Sequence, residues 1–409
     1  MSDFGKKISF SDFFTEGQFA TQTETLAVSQ RKESISIGVP VEIALCEYRV
    51  ALVPNSIRTL VGYGHEVVIE SGAGKNAHFS DHDYSEAGAK IVHSKDEVFK
   101  CNVILKIAPP TIEEIDLFQS DQILISPLQF PSLSEEYLQK LKQKRVIAMA
   151  MEYLQSDDGS FPVVRIMSEI AGMESILTAA EILSKSNGGR GTLLGGISGI
   201  PPAKVVILGA GVVGEFATKT ALGLGASVRV FDNDISKLMR LQSQVGRQLH
   251  TSVINPVYLG YQLVSADVVV GAMHSRTGRT PVIVTEDMVS KMKEGSVIID
   301  ISIDQGGIFE TSEIRTLDKP TFTKHGVIHY CVPNISSKVS RTGSIAVSNI
   351  MTPLLLRAGS SLNIESLLYR SKGIRNGVYV YKGCLTNEYL SRRFNMKYTS
   401  LDLLLTSNL

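Results

Sequence analysis

Three glycines lie at the spacing G-x-G-x-x-G directly after an apolar stretch of the chain. The stretch 205–208 has the composition of a β-strand, and Gly209, Gly211 and Gly214 follow it. In such a turn the first glycine permits the tight bend, the second lets a pyrophosphate approach the backbone, and the third lets helix and strand pack closely. The amphipathic stretch 215–224 predicts the helix whose N-terminal N–H groups would face the phosphates. We therefore predict a dinucleotide-binding turn.

A carboxylate at the end of the next predicted strand bears on which dinucleotide binds. Asp232 ends the strand 228–231, about twenty residues after the glycines, where it can accept hydrogen bonds from the adenosine ribose hydroxyls and repel a 2′-phosphate. We therefore predict NAD as the cofactor. Two other interpretations stay open: Arg229, Lys237 or Arg240 accommodates the phosphate of NADP, or Asp232 only caps the following turn.

The rest of the chain supplies alternating strands and helices that would position this turn. Short β-branched runs, among them 66–70, 227–231 and 268–271, alternate with amphipathic stretches over 35–150 and again over 204–300, which predicts parallel sheets. A helical period over about 167–185 predicts a long helix that connects the two series. We predict an α/β fold with two doubly wound, Rossmann-like domains and a cleft between them. The NAD-binding domain, 166–340, is inserted into a substrate domain made of 34–165 and 341–409. Residues 1–33 show no sustained period and are predicted to be a loosely ordered N-terminal extension.

Composition excludes several classes of function. The 409 residues are 43% hydrophobic and 20% charged, as in a soluble globular protein. Basic and acidic residues number 41 each, so no basic field is available for nucleic acid or an anionic membrane. No apolar run reaches the roughly 18–20 residues of a membrane span, and the four cysteines form no metal-binding or disulfide pattern. We predict a cytoplasmic protein without a metal site.

Several further blocks resemble the alanine dehydrogenase family, which is related to the NAD-binding part of proton-translocating transhydrogenase. In chain order they are GVPVE at 38–42, EYRVALVP at 47–54, ESGAG at 70–74, ILK at 104–106, MSEIAG at 167–172, DISIDQGG at 300–307 and HYCVPN at 329–334. The resemblance implies reversible oxidative deamination of L-alanine to pyruvate and ammonia, with hydride passing between the substrate α-carbon and the nicotinamide. It also implies a homohexamer.

The resemblance implies two residues that hold the substrate. Arg49 matches the family's substrate-binding arginine, and an arginine can grip a carboxylate in bidentate fashion. A salt bridge with Glu47 or Glu42 is the other interpretation of Arg49. Lys106 matches the family's second substrate-binding residue, although a lysine at a strand end is often simply solvated.

The resemblance also implies the acid/base group and the cofactor contacts. Asp304 matches the family's active-site aspartate, with Asp300 as a competing carboxylate and a structural N-cap as the other interpretation. The residues expected to line the cofactor site, besides the three glycines and Asp232, are Ser168, Val212, Val213, Lys237, Met273, His274, Ile301, Ser302, Ile303, Asp304, Val332, Pro333 and Asn334.

One position departs from the family. Where better-known members have a histidine that exchanges protons with the substrate, this chain has Gln129, which cannot titrate near neutral pH. Another group with a bound water, a different substrate, or binding without turnover would each explain the change. His274 is the most plausible substitute, although a loop histidine that contacts solvent or cofactor explains it as well. His329 is placed in the turn next to the cofactor and is given no proton-transfer role.

Three functions follow. The first is an alanine dehydrogenase, or a dehydrogenase of another small amino acid, with Asp304 as the principal acid/base. The second is the NAD-binding component of a transhydrogenase, which would need membrane spans in this or a partner chain. The third is an NAD-binding homologue that has lost turnover through the change at Gln129. Retention of Arg49, Lys106 and Asp304 favours the first.

Overall fold

Two β-sheets organise the chain. The computed structural model describes residues 34–44, 46–128, 133–275, 278–360 and 364–406. Its strands are β1 Ser36–Val39, β2 Glu66–Glu70, β3 Lys90–Val92, β4 Val103–Leu105, β5 Ile123–Ser126, β6 Ile147–Ala150, β7 Lys204–Leu208, β8 Ser227–Phe231, β9 His250–Ser252, β10 Val268–Gly271, β11 Val297–Asp300, β12 Thr321–Lys324, β13 Val327–Tyr330, β14 Val378–Tyr381 and β15 Cys384–Leu385.

Helices connect and cover these strands. They are α1 Pro54–Gly62, α2 Asp81–Glu86, α3 Lys95–Val98, α4 Ile112–Asp116, α5 Glu135–Gln143, α6 Pro162–Ile182, α7 Val212–Gly223, α8 Ile235–Val245, α9 Pro256–Val264, α10 Glu286–Ser290, α11 Ser340–Ser360, α12 Ile364–Arg370, α13 Lys372–Arg375, α14 Glu388–Arg393 and α15 Leu401–Thr406. Short 3₁₀ turns span Lys75–Ala77, Met151–Tyr153, Lys185–Asn187, Ile301–Gln305 and Ile335–Val339. None of the helices in this described part of the chain has the length and apolar character of a membrane span.

The first sheet has the order β15-β14-β6-β5-β4-β1-β2-β3. Strands β1 to β6 pair in parallel, and β14 joins β6 antiparallel. Helices cover both faces, so central strands such as β5 and β6 are buried along their whole length, which explains their continuous apolar sequence. Because β1, β4, β5 and β6 are parallel, the residues that follow them emerge along one edge of the sheet.

The second sheet has the order β12-β13-β11-β10-β7-β8-β9. All of its pairs are parallel except β12 with β13. The chain runs outward from β7 in one direction through β8 and β9 and in the other through β10 and β11. The change of direction between β7 and β10 creates the crevice in which ligands bind in open α/β sheets, and the glycine turn follows β7 directly.

The second sheet is inserted into the first. The chain leaves the first sheet after β6 through α6, and it returns through α11 to add β14 and β15. The predicted fold class, two doubly wound α/β units with one inserted into the other, is therefore confirmed. Helix α6 starts at Pro162, five residues before the predicted 167, because proline fits the first helical turn. The predicted N-terminal extension, 1–33, lies outside the described residues.

The placement of His329 in a turn was wrong. His329 lies within β13 and is fully buried. Its two ring nitrogens pair with the Thr311 hydroxyl at 2.8 Å and the Val327 carbonyl at 3.0 Å, and its ring stacks on Phe322. Burial lowers its pKa to about 4. His329 is therefore a neutral core residue.

Candidate active site

The geometry of the turn explains why glycine suits each of the three positions, and the explanation differs from one position to the next. Gly209 has φ +116°, and a Cβ there would lie 2.3 Å from the carbonyl oxygen of Ala272. A Cβ on Gly214 would lie 1.9 Å from the carbonyl oxygen of Gly209, whereas one on Gly211 would meet no atom within 4 Å. Gly211 is the N-cap of α7 and gives it no side-chain cap. The first N–H groups of α7 therefore face open space beside Gly211, as a bound pyrophosphate requires.

Asp232 holds the glycine turn in place. It is buried at the end of β8, and its Oδ2 accepts a hydrogen bond of 2.8 Å from the backbone N–H of Ala210. Its Oδ1 accepts one of 2.8 Å from the N–H of Asp234. The carboxylate therefore does cap the following turn. An ionised carboxylate has about four acceptor sites, so two remain for ribose hydroxyls.

The three cations near Asp232 in sequence lie in different places. Arg229 donates to a serine at the start of β8, at the opposite end of the strand from Asp232. Lys237 lies in the first turn of α8. Arg240 donates to the carbonyl of Ala210 at 3.3 Å and is therefore the one that reaches the glycine turn.

Two loops at the carboxyl edge of the second sheet are bonded to each other. The Ser302 hydroxyl donates to the carbonyl of Met273 at 2.8 Å and accepts from its N–H at 3.0 Å. The side chain of Gln305 pairs in the same reciprocal way with the backbone of Ser275. These bonds fix the loops after β10 and β11 beside the glycine turn. His274 is exposed on the first of them.

Asp300 and Asp304 occupy different environments. Asp300, at the end of β11, is fully buried and accepts hydrogen bonds from Ser302 N–H, Ile308 N–H and the Ser312 hydroxyl, at 3.0, 3.1 and 2.6 Å. Burial raises its pKa to about 6. Asp300 is thus the N-cap of the 3₁₀ turn that carries Asp304.

Asp304 is the carboxylate of the two that solvent can reach. Its side chain is exposed, yet the protein around it and the charge of Asp300 raise its pKa to about 6. Exposure limits this shift by screening, but its direction is upward. A carboxyl with a pKa nearer to neutrality exchanges protons more readily than an ordinary aspartate.

Arg49 is held by an internal carboxylate. It is buried in the loop between β1 and α1, and its Nε and Nη2 donate to Oε1 and Oε2 of Glu47, both at 2.7 Å. The salt bridge with Glu47 is therefore present. Nη1 lies on the other side of the guanidinium, 3.1 Å from Sδ of Met167 on α6. One edge of Arg49 is thus occupied by Glu47, and Nη1 donates to the Met167 thioether, which is a weak acceptor.

Lys106 is not a solvated strand end. The side chain is 1% exposed, and Nζ lies 3.0 Å from Glu42 and 3.4 Å from Glu114. Lys95 also pairs with Glu114 at 2.9 Å. Burial raises the pKa of Glu42, while the charge of Lys106 opposes that rise. Lys106 is thus a buried cation between two carboxylates at the carboxyl end of β4. Removing one partner of such a buried pair leaves an uncompensated charge, which destabilises the fold.

The carboxyl edges of the two sheets meet at Glu47. Asn334, which follows β13 in a left-handed conformation with φ +61°, donates to Glu47 Oε2 at 2.7 Å. Ser337 donates to the carbonyl of Cys46 at 2.9 Å and accepts from the N–H of Tyr48 at 2.8 Å. These contacts bring the loop with Arg49 against the chain segment that leaves the second sheet. Val332 and Pro333 lie in the same segment, and Ser168 lies on α6 beside Met167.

The strand β5 ends close to Gln129, the residue that departs from the family. Gln129 lies outside the described residues, but its neighbour Leu128 donates its N–H to Glu152 Oε1 at 2.7 Å. Glu152 follows β6, the strand next to β5. Sequence reasoning did not predict that Glu152 and Glu114 lie at the carboxyl edge of the first sheet. Glu114 had a signal, because Thr111 and Glu114 form a capping box at the start of α4.

Comparisons with known proteins agree along the chain. The N-terminal domain model of alanine dehydrogenase/PNT matches residues 38–171, and the C-terminal domain model matches residues 175–388. Alanine dehydrogenase 2 of Staphylococcus aureus is 40% identical over 369 residues, which cover 90% of this chain and 99% of that protein. Alanine dehydrogenase of Staphylococcus epidermidis is 39% identical over 379 residues, with the same coverage of 90% and 99%.

Solved structures show the same relationship. A structure titled L-alanine dehydrogenase has a TM-score of 0.83 at 36% identity and covers 88% of this chain and 99% of that one. A transhydrogenase from Sinorhizobium meliloti has a TM-score of 0.74 at 22% identity, with coverage of 87% and 99%, and so shares the fold. The predicted family is confirmed: the chain belongs to the alanine dehydrogenase/PNT family.

Proposed function

We propose that this chain catalyses the NAD-dependent, reversible oxidative deamination of L-alanine to pyruvate and ammonia. The observation that carries the proposal is the meeting of two edges: the glycine turn and Asp304 belong to the second sheet, and Arg49 and Lys106 belong to the first. The relatives that are about 40% identical over 90% of the chain bear the name alanine dehydrogenase, which supports this substrate.

We assign the two parts of the reaction to two domains. Residues 166–340 bind the cofactor, and residues 34–165 with 341–409 bind the substrate. The second sheet lies wholly within the first range, and the first sheet is built from both segments of the other. Such a division places the hydride transfer between the domains.

The residues of the glycine turn fit NAD. The uncapped start of α7 and the open space at Gly211 suit a pyrophosphate, and Asp232 keeps acceptor sites for the ribose. NAD held by these residues would supply the acceptor for the hydride of the α-carbon. The further residues that we assign to this site are Ser168, Val212, Val213, Lys237, Met273, His274, Ile301, Ser302, Ile303, Val332, Pro333 and Asn334.

Arg49 and Lys106 bind the substrate carboxylate. Both are cationic, buried and placed on the carboxyl side of adjacent strands, since β1 pairs with β4. Arg49 offers Nη1, and Lys106 adds a point charge. Holding the carboxylate at two points fixes the α-carbon relative to the nicotinamide, and such orientation is a large part of the rate enhancement of two-substrate reactions.

Asp304 moves the protons. Alanine must lose an ammonium proton before its nitrogen lone pair can assist departure of the hydride, and the resulting imine then takes up water and expels ammonia. The carboxylate of Asp304 accepts the ammonium proton and releases it to solvent before water attacks. It then accepts a proton from the attacking water and returns it to the departing amine. As ammonia leaves, it takes the proton of the carbinolamine hydroxyl, which passes to solvent and leaves pyruvate. The upward shift of its pKa to about 6 leaves it ionised at neutral pH yet able to be protonated transiently.

The decisive experiment is a set of spectrophotometric assays on the purified protein. Alanine with NAD at alkaline pH should produce NADH, and pyruvate with ammonium should consume it. A rate with another amino acid but none with alanine would redirect the substrate assignment. Tight NADH binding without a rate for any amino acid would favour the homologue that lacks turnover. Gln129→His then shows whether the glutamine is a loss, if turnover rises, or part of a rebuilt site, if turnover falls.

We further propose a homo-oligomer, a hexamer by the family resemblance, and a cytoplasmic location. Exposed apolar side chains on α6 and in the segment that follows it support the assembly, because large apolar side chains left uncovered in a monomer are often covered in an oligomer. They are Met173, Leu177, Leu193, Ile197 and Ile200. Sedimentation velocity will determine the state. Free thiols at all four cysteines are consistent with a reducing compartment.

A further inference from the structure

We propose that Glu47 is a positioning residue for the substrate: it fixes the Arg49 guanidinium with Nη1 on the side of Met167, where a substrate carboxylate would replace the weak thioether acceptor, and it ties that orientation to the second sheet. This inference rests on the proposed role of Arg49. It goes beyond that role because it assigns a function to a carboxylate that touches no reacting atom.

The first argument is the geometry of the ion pair. Glu47 receives Nε and Nη2 of Arg49 at 2.7 Å each, and its Oε1 also accepts from the backbone N–H of Arg49 at 3.1 Å. A parallel two-bond contact of this kind fixes the plane and rotation of a guanidinium, which a single bond cannot do. Nη1 is therefore directed away from Glu47, toward Met167.

The second argument is that Glu47 itself has little freedom. Its side chain is 2% exposed, and it accepts a further hydrogen bond from Asn334 at 2.7 Å, while the Ser337 hydroxyl oxygen lies 3.3 Å from its Oε1. Asn334 and Ser337 belong to the segment between β13 and α11. The orientation of Arg49 is thus set by residues that are about 290 positions away in the chain.

The third argument is electrostatic. Arg49 pairs with Glu47, and Lys106 pairs with Glu42 and Glu114, so buried carboxylates already neutralise both cations. A carboxylate that only neutralised Arg49 would oppose the binding of an anionic substrate. A carboxylate beside Arg49 favours substrate binding only if fixing the guanidinium contributes more to affinity than the lost electrostatic attraction takes away. Removing the charge of Glu47 should therefore weaken pyruvate binding if Glu47 positions Arg49, and strengthen it if Glu47 only neutralises Arg49.

The test is the dissociation constant of pyruvate from the enzyme–NADH complex without ammonium, followed by NADH fluorescence. Glu47→Gln keeps the shape but loses one of the two bonds to Arg49, so pyruvate should bind about 10- to 100-fold more weakly. NADH alone should bind as in the wild type. Unchanged or tighter pyruvate binding by Glu47→Gln would overturn the positioning role.

Glu47→Asp separates position from charge. It keeps the negative charge but withdraws it by one methylene. A positioning role therefore predicts weaker pyruvate binding, whereas a purely electrostatic role predicts no weakening of pyruvate binding. The matched control is Glu70→Gln, because Glu70 supports the same loop through the N–H of Val41 at 2.7 Å without touching Arg49. Glu70→Gln should change pyruvate binding less than about twofold.

A double-mutant cycle shows whether Glu47 acts through Arg49. In an Arg49→Lys background, which cannot form the two-bond contact, Glu47→Gln should add less than about twofold. Full additivity would assign Glu47 a different role. If the wild type does not bind pyruvate, both the proposed function and the positioning role are refuted. If the wild type and Glu47→Gln bind pyruvate equally tightly, only the positioning role is refuted.

Discussion

A methyl group placed on Gly211 should weaken dinucleotide binding without destabilising the fold. Gly211 has φ −73° and ψ −169°, which alanine adopts freely, and a Cβ there meets no heavy atom within 4 Å. Gly211→Ala should therefore leave the free energy of unfolding unchanged or raise it by about 0.4–1 kcal/mol. The methyl group occupies the space in which the pyrophosphate would approach the start of α7.

The expected loss follows from the bonds that the methyl group blocks. Each charge-assisted hydrogen bond between a helix N–H and a phosphate oxygen contributes about 1.5–3 kcal/mol. Losing one or two of them should raise the NADH dissociation constant by about 10-fold to more than 100-fold. NADH fluorescence titration measures this constant, and thermal unfolding of the same samples reports stability.

Two glycines of the same helix are matched comparisons. Gly223, at the end of α7, also has free space around a Cβ, so Gly223→Ala should stabilise by about 0.5–1 kcal/mol and leave NADH binding unchanged. Gly214→Ala should lower both the stability of the fold and the affinity for NADH, since its Cβ would overlap the Gly209 carbonyl oxygen at 1.9 Å. The free energy of unfolding should fall by about 3 kcal/mol. NADH binding by Gly211→Ala within twofold of wild type would refute this account of the turn.

Three further predictions concern buried carboxylates. Because burial raises the pKa of Asp300 to about 6, the folded chain holds that proton more tightly than the unfolded chain. The free energy of unfolding should therefore fall by up to about 3 kcal/mol on account of Asp300 as pH rises from about 4 to about 6. Asp300→Asn should remove this contribution and leave the smaller one of the exposed Asp304. Urea unfolding across that range measures the change, and an unchanged pH dependence in the variant would contradict it. Lys106→Met leaves Glu42 buried without its cation, so it should abolish pyruvate binding and cost about 3–5 kcal/mol at neutral pH, less in acid where Glu42 is protonated; equal stability to wild type would show that Glu42 tolerates burial alone. Asp232→Asn should lower the ratio of NADPH to NADH dissociation constants by at least about tenfold, and an unaffected ratio would mean that Asp232 does not select the cofactor.

Local sequence was a good guide to the strands and to the glycine turn. Predicted strands such as 66–70, 227–231 and 268–271 match β2, β8 and β10 exactly in their bounds, because buried parallel strands need continuous β-branched runs. Strand β9, with the sequence His250-Thr251-Ser252, was not predicted. It lies at the edge of its sheet, where fewer apolar contacts are needed.

The environment of each charged residue was beyond local reasoning. Glu114 shows why: its spacing from Thr111 predicts a capping box, which is present, but the same carboxylate also contacts Lys106 across the fold. The alternatives for Arg49 and Asp232 were correctly set out from sequence, and in both cases the structural bond exists. Such a bond does not exclude a ligand, since Nη1 of Arg49 donates only to the weak thioether acceptor of Met167 and Asp232 keeps acceptor sites.

The sequence by itself determined that a dinucleotide turn follows β7, because only glycine fits the φ of Gly209 and the contact at Gly214, and these demands are local. Tertiary structure alone decided how Arg49 and Lys106 are held. Glu47 and Asn334 are 287 residues apart and meet only when the second sheet is packed against the first. Contacts of that range depend on the arrangement of whole elements, which no periodicity within either segment encodes.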